Sequence, residues 1–269
     1  MQYESNMINK KLEWEKTKTE DGFGRVVIDN FLDEETCMKL YEECMNAPKG
    51  GWTVFTRANS RMEEFNDLIS LPTAHRVTYD IMHSGEFLYQ LENMTGIVGL
   101  LPDPHLVGAG YSILRNGTIL APHYDFNWND RLRLHRKLTS LLYITPNWKS
   151  EWGGHNVVWD GNPELNPNAK IIESTAPLFN RFVINENIPK GPVHSVSEVT
   201  CPDYVYGRCA IRFFYYVSTS EYDKENPPHR STYSSNEYSH HKLHEEEEWN
   251  GHFVGNGGED YGYTPKIVN

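Results

Sequence analysis

The residues whose types and spacing could do chemistry are His123 and Asp125, in the stretch Leu120-Ala121-Pro122-His123-Tyr124-Asp125-Phe126-Asn127-Trp128. On an extended strand, residues i and i+2 point to the same face. One ion could therefore take an imidazole nitrogen and a carboxylate oxygen from this pair. A second histidine from a neighbouring strand would complete a face of three ligands. His194, in Gly191-Pro192-Val193-His194-Ser195-Val196, is the candidate. Two histidines and one carboxylate on one face leave three octahedral positions open, a set suited to ferrous iron that must also take exogenous ligands. An isolated His-x-Asp is as readily a surface turn, so the elements around it decide its weight.

Those elements divide near residue 100. Before it, Arg25-Val26-Val27-Ile28-Asp29 reads as a strand. Asp33 is a good N-cap for a helix over 34–45, whose Cys37, Leu40, Tyr41 and Cys44 form an apolar stripe. The stretches 60–70 and 84–93 read as two further helices, the second with Phe87, Leu88 and Leu91 on one side. From residue 108 short β-rich runs follow one another: Gly110–Leu114, Ile119–Asp125, Leu138–Ile144, Gly154–Trp159, Arg181–Asn185 and Cys209–Val217. The Asn116-Gly117 turn between two of them is a hairpin signal. The pattern predicts a mainly β fold, a sandwich, barrel or jelly roll with flanking helices, rather than βαβ units. Residues 1–100 are expected to form a support region packed on a core at 101–218, and 219–269 an acidic extension, all within one domain.

Composition narrows the function. A net charge of -12 lacks the basic footprint of a nucleic-acid binder. No run approaches the roughly 20 apolar residues of a membrane span. The start, Met1-Gln2-Tyr3-Glu4-Ser5, is polar and lacks the apolar centre of a signal peptide. Cys37, Cys44, Cys201 and Cys209 show neither zinc spacing nor a disulfide pattern, so a reducing, cytoplasmic setting is expected.

A second chemical signal is Arg208, which heads the strand Cys209-Ala210-Ile211-Arg212-Phe213-Phe214-Tyr215-Tyr216. A guanidinium drawn into a core needs an anionic partner, and its planar fork suits a carboxylate. That partner is either one of the protein's own 37 acidic residues or a bound ligand. Arg136 and Arg181 are read as structural ion pairs without a chemical role. In the tail, His244-x-Glu246 is a rival metal pair, but it sits in a polar, acidic run with no strand pattern.

Taken in order, the parts resemble a known family. They are His-x-Asp, Leu-Tyr-Ile-Thr-Pro-Asn-Trp at 142–148, Glu-Trp-Gly-Gly at 151–154, Asn-Arg-Phe-Val-Ile-Asn at 180–185, His194, and Arg-x-x-Ile before an aromatic strand. This order resembles the Fe(II)/2-oxoglutarate oxygenases, and within them the prolyl 4-hydroxylase-like branch. The resemblance implies a double-stranded β-helix (jelly-roll) core, with His123, Asp125 and His194 as iron ligands. It implies that Arg208 holds the distal carboxylate of 2-oxoglutarate, with a hydroxyl contact from Tyr143, whose alternative is an ordinary core tyrosine. Tyr111 is expected to line the cosubstrate pocket, although some relatives carry their tyrosine at the position occupied here by Ile113. Phe126, Asn127, Trp128, Trp152, His155 and Trp159 could flank the mouth. Because residue 125 is a carboxylate rather than a small residue, the implied reaction is hydroxylation and not halogenation. Fe(II), 2-oxoglutarate and O2 are the implied reactants, with ascorbate as an accessory reductant. The substrate is expected to be a prolyl residue of a peptide or protein, or else a free amino acid or other small metabolite. The rival from another class is a jelly-roll binding module without turnover.

Overall fold

Strand β1 (Glu15–Lys16) pairs with β2 (Gly24–Ile28), and helix α1 (Glu34–Asn46) follows where the sequence places it. In this computed structural model, residues 15–16, 24–57, 60–188, 192–218, 228, 231–233 and 239–242 are described. The polar N-terminus and the His244-x-Glu246 pair lie outside them. Asp33 caps α1 by accepting the Thr36 amide proton at 2.8 Å, and Cys37, Leu40 and Cys44 are buried.

The next stretch departs from expectation. Residues 60–70 form no helix: β3 (Trp52–Arg57) and β4 (Ser60–Phe65) pair antiparallel. The charged run that reads as helical is held extended by partners far away in sequence. Glu63 meets Arg115, and Glu64 meets Arg212. Helix α2 (Thr73–Met82) gives no signal of its own, because Pro72 at its N-cap offers no side-chain acceptor. The acceptor comes instead from α1, where the Glu43 carboxylate takes the amide protons of Ala74 and His75 at 2.8 and 3.0 Å. Helix α3 (Gly85–Thr95) begins at Ser84, whose hydroxyl accepts the Phe87 amide proton, and ends at the left-handed Gly96.

The remaining strands are β5 (Leu101–Pro102), β6 (Gly110–Leu114), β7 (Leu120–Tyr124), β8 (Trp128–Asn129), β9 (Leu134–Tyr143) and β10 (Asn156–Trp159). They are followed by β11 (Ile171–Thr175), β12 (Arg181–Glu186), β13 (His194–Val196), β14 (Arg208–Val217), β15 (Thr232–Tyr233) and β16 (Ser239–Lys242). Two antiparallel sheets form a jelly-roll core. The larger runs β1-β2-β12-β9-β14-β6-β4-β3-β16, with β5 on β14 and β8 on β9; the smaller runs β11-β10-β13-β7-β15. Strands from before residue 100 thus share the large sheet with β6, β9, β12 and β14. The Asn116-Gly117 turn is present but makes no hairpin, since β6 belongs to the large sheet and β7 to the small one. The extension contributes to both sheets, β15 pairing with β7 and β16 with β3.

Alternation along the central strands separates two environments. Cys209, Ile211, Phe213 and Tyr215 join Leu40, Phe87 and Leu91 of the helices in the main core. The intervening Ala210 packs instead with Leu141, Tyr143 and Val183 on the sheet's inner face, toward the small sheet. No helix among the described residues is long and apolar enough to cross a membrane, and the four cysteines are free and buried.

Candidate metal centre

Antiparallel pairing of β7 with β13 sets His123 directly opposite His194, with ring centroids 4.3 Å apart. Asp125 follows just past the end of β7, and its Oδ1 lies 3.6 Å from His123 Nε2 and 3.5 Å from His194 Nε2. One donor atom from each of the three residues falls within 4.8 Å of the others. Donors so spaced can share one ion at about 2.1 Å, a usual metal–nitrogen length.

The tautomers suit metal binding. His123 Nδ1 faces the Ala121 carbonyl at 2.8 Å, and His194 Nδ1 faces the Pro192 carbonyl at 3.3 Å. A carbonyl can only accept, so each Nδ1 carries the proton and each Nε2 presents its lone pair inward. Burial, reinforced by His194, lowers the His123 pKa and keeps the ring neutral. Burial by itself raises the Asp125 pKa, but Arg136, then His194 and His123, outweigh it and hold the carboxyl well below its ordinary value. Two imidazole nitrogens and one carboxylate fit ferrous iron.

The other oxygen of Asp125 is also engaged. Arg136 Nη2 lies 2.5 Å from Oδ2 in a close ion pair, without the alignment of a regular hydrogen bond. The Thr139 hydroxyl donates to the same oxygen at 3.4 Å. Thr139 belongs to the inward row of β9 that continues through Leu141 to Tyr143, which ties the metal centre to the sheet's inner face.

Arg208 lies on that inner face with 2% exposure, and its Nη2 donates to Tyr143 Oη at 3.1 Å. Its Nε has no partner, and among the described residues no carboxylate pairs with it. Arg212, two positions further along the same face, is neutralised by Glu64 at 2.5 Å. Of the two inward arginines of β14, only Arg208 lacks a carboxylate partner among the described residues. Gly154 makes room for it, because a Cβ there would lie 3.0 Å from Arg208 Cδ. The adjacent Gly153 has no space at all, since a Cβ would meet Glu198 O at 1.9 Å.

Residues 109–216, which contain His123, Asp125, His194 and Arg208, match the family model of the 2OG-Fe(II) oxygenase superfamily. The chain carries a 2OG-Fe(II) oxygenase domain. The family implies Fe(II), 2-oxoglutarate and O2, and makes the protein a 2-oxoglutarate-dependent dioxygenase. A search of curated proteins returned no match. Among solved structures, a Pseudomonas putida prolyl-4-hydroxylase superposes on the oxygenase with a TM-score of 0.51 at 13% identity, over 73% of this chain and 94% of its own. A Trichoplax adhaerens prolyl hydroxylase, in complex with a hypoxia inducible factor oxygen degradation domain peptide fragment, scores 0.49 at 20% identity over 71% and 83%. A prolyl 4-hydroxylase from Phytophthora capsici scores 0.48 at 19% identity over 76% and 60%. At these identities the likeness is one of fold.

One residue expected in the site of this oxygenase is not there. Tyr111 is fully buried on the helix side of β6, its ring 4.1 Å from that of His75. It stands opposite Ile211, which faces the helices as well, so strand parity removes it from the cosubstrate pocket. Ile113 shares that outward side, whereas Leu114 packs between the sheets. The aromatic residues also divide. Trp159 lies beside the ligand strand and donates from Nε1 to Ser195 Oγ at 2.9 Å. Trp152 packs on Trp148, and Trp128 on His135. His155 is pinned between Ser174 Oγ and the Ser150 carbonyl. Phe126 lies against Arg136, 3.9 Å from guanidinium carbon to ring centroid. Arg181 forms its structural ion pair with Asp29 at 2.6 Å. Arg136, read from the sequence in the same way, instead touches Asp125 of the candidate metal centre. The signal that singled out Arg208, an arginine opening a buried strand, applies equally to Arg136.

Proposed function

We propose that this oxygenase hydroxylates an unactivated C–H bond of a prolyl residue in a peptide, with iron on His123, Asp125 and His194. The observation that carries the cosubstrate assignment is the buried Arg208 guanidinium, which lacks a carboxylate from the described residues but has Tyr143 Oη beside it. A dicarboxylate's far end completes that pair, the arginine fork taking both oxygens and the phenol hydroxyl adding one donor. Iron with 2-oxoglutarate and dioxygen supplies the oxidising chemistry when bound. The protein's share is placement: two imidazoles fixed by backbone carbonyls, one carboxylate fixed through its second oxygen, and an anion seat on the facing sheet. Trp159, beside β13, and the loop after β7 would shape the substrate's approach. A prolyl peptide is the first substrate to try because the Pseudomonas putida protein that shares the fold is a prolyl-4-hydroxylase.

The test is succinate release with Fe(II), 2-oxoglutarate and ascorbate across prolyl peptides, free proline and other amino acids. Wild type should release succinate fastest with a prolyl peptide, and product mass should rise by one oxygen atom. Asp125→Ala should release none, and release by that variant at the wild-type rate overturns the metal assignment. A preference for a free amino acid over every peptide overturns the substrate.

A further inference from the structure

We infer that Arg136 is the positioning residue that makes Asp125 a one-oxygen ligand and so keeps the third exogenous position open. The inference rests on the functional reading above and extends it to a residue that reading does not use. The two oxygens of Asp125 have separate duties: Oδ1 faces both histidine nitrogens at 3.5 and 3.6 Å, while Oδ2 faces Arg136 Nη2 at 2.5 Å. To bring both oxygens to an ion, the carboxylate must rotate away from the guanidinium. That guanidinium is held against following it. Arg136 is 1% exposed, and its charged carbon lies 3.9 Å from the Phe126 ring centroid and 4.2 Å from that of Phe214. Its backbone amide also donates to the Asn127 carbonyl at 2.8 Å, fixing the loop that carries Asp125 to the start of β9. Rotation would take the Asp125 carboxylate away from a cation buried between two rings, which the low dielectric there penalises.

The consequence is a matter of counting coordination sites. Three single-atom protein donors leave three octahedral positions, enough for a chelating oxoacid and one further ligand. A carboxylate using both oxygens would occupy a fourth position and leave only two. Arg136 also differs in kind from a space-filling arginine: an apolar residue of its size would fill the slot between Phe126 and Phe214 equally well but leave Oδ2 unrestrained.

The test counts waters on Mn(II), which binds such ligands without turnover, by water-proton relaxation of the apo protein loaded with Mn(II). Wild type should show about three exchangeable waters, and Arg136→Gln about two. In Arg136→Gln, Mn(II) should bind at least as tightly as in wild type, while 2-oxoglutarate binds the Mn(II) protein about tenfold more weakly, an effect of the size seen for groups that orient metal ligands. Arg136→Lys, which keeps the charge, should recover most of the third water. A merely structural arginine predicts the reverse: lower melting temperature and weaker Mn(II) binding with three waters retained, and that result overturns the inference. If Arg136→Gln does not fold, Phe214→Leu loosens the same guanidinium, and a full three waters with unchanged 2-oxoglutarate affinity there also overturns it. Wild type that fails to bind Mn(II) removes the functional reading itself, and this inference with it.

Discussion

Replacing Arg208 with Met should raise or preserve the stability of the ligand-free protein while destroying its affinity for 2-oxoglutarate. The guanidinium is 2% exposed, has an unpartnered Nε, and donates from Nη2 to the Tyr143 hydroxyl at 3.1 Å. An uncompensated buried charge costs folding free energy, and Met restores most of the volume without it. Loss of the bond to Tyr143 Oη offsets about 1 kcal/mol. The net change should lie between zero and about 2 kcal/mol more stable. Removing a charge from a buried, hydrogen-bonded pair costs the complex about 2–5 kcal/mol. At about 1.4 kcal/mol per tenfold, affinity should fall roughly 30-fold to several thousand-fold. Arg212→Met is the control of opposite sign. It strands Glu64, 8% exposed and 2.5 Å from Arg212, and should cost about 3 kcal/mol. Urea unfolding of the apo proteins, with 2-oxoglutarate titration of their Mn(II) forms, measures both quantities. If Arg208→Met is destabilised as much as Arg212→Met, Arg208 already has an internal partner and the anion seat is refuted.

Other perturbations follow from local geometry. Gly153→Ala places a Cβ 1.9 Å from Glu198 O at a φ of +65°, and should cost about 3 kcal/mol in chemical denaturation, whereas a cost below about 1 kcal/mol shows that the bridge to Val199 yields easily. Glu43→Ala removes the acceptor for two amides at the start of α2 and should cost about 1 kcal/mol, read as a lowered melting temperature. Burial raises the Asp103 pKa to about 6 against the bonds from His105 and Leu106, so the folded state favours the protonated acid. Its contribution is therefore fully present below pH about 4 and lost as pH rises through about 6. Asp103→Asn should abolish that decline, worth roughly 3 kcal/mol, and an unchanged pH–stability curve would rule it out.

The pairing of His123 with Asp125 is legible in the sequence because it needs only local information. The i, i+2 relation of His123 and Asp125 is a property of any strand, and the order of motifs supplied His194. Arg208 was legible for a different reason, since a charge opening an apolar strand announces an unmet need. Tyr111 was misread because distance along the chain says nothing about which side of a strand a residue faces. That side is set by the register of β6 against β14. The β4 strand was misread as a helix because its acidic residues are balanced by Arg115 and Arg212, contacts that local propensity cannot foresee. Helix α2 was missed for the same kind of reason, its cap being lent by another helix. Sequence alone assigns Arg136 no role, since only the fold shows which acid it meets.

The alternation on β14 also bears on how such a chain can diverge. Arg208 and Arg212 share one side of a ribbon whose other side, Cys209, Ile211, Phe213 and Tyr215, is wedged against the helices. Point substitutions can drift on either side independently. A single inserted or deleted residue cannot, because it exchanges the two sides downstream, sending charge into the helix interface and aromatic rings toward the metal. Length changes in lineages descended from this protein should therefore collect in the connections between strands, and the interval from 208 to 217 should keep its residue count even where its composition has been largely rewritten.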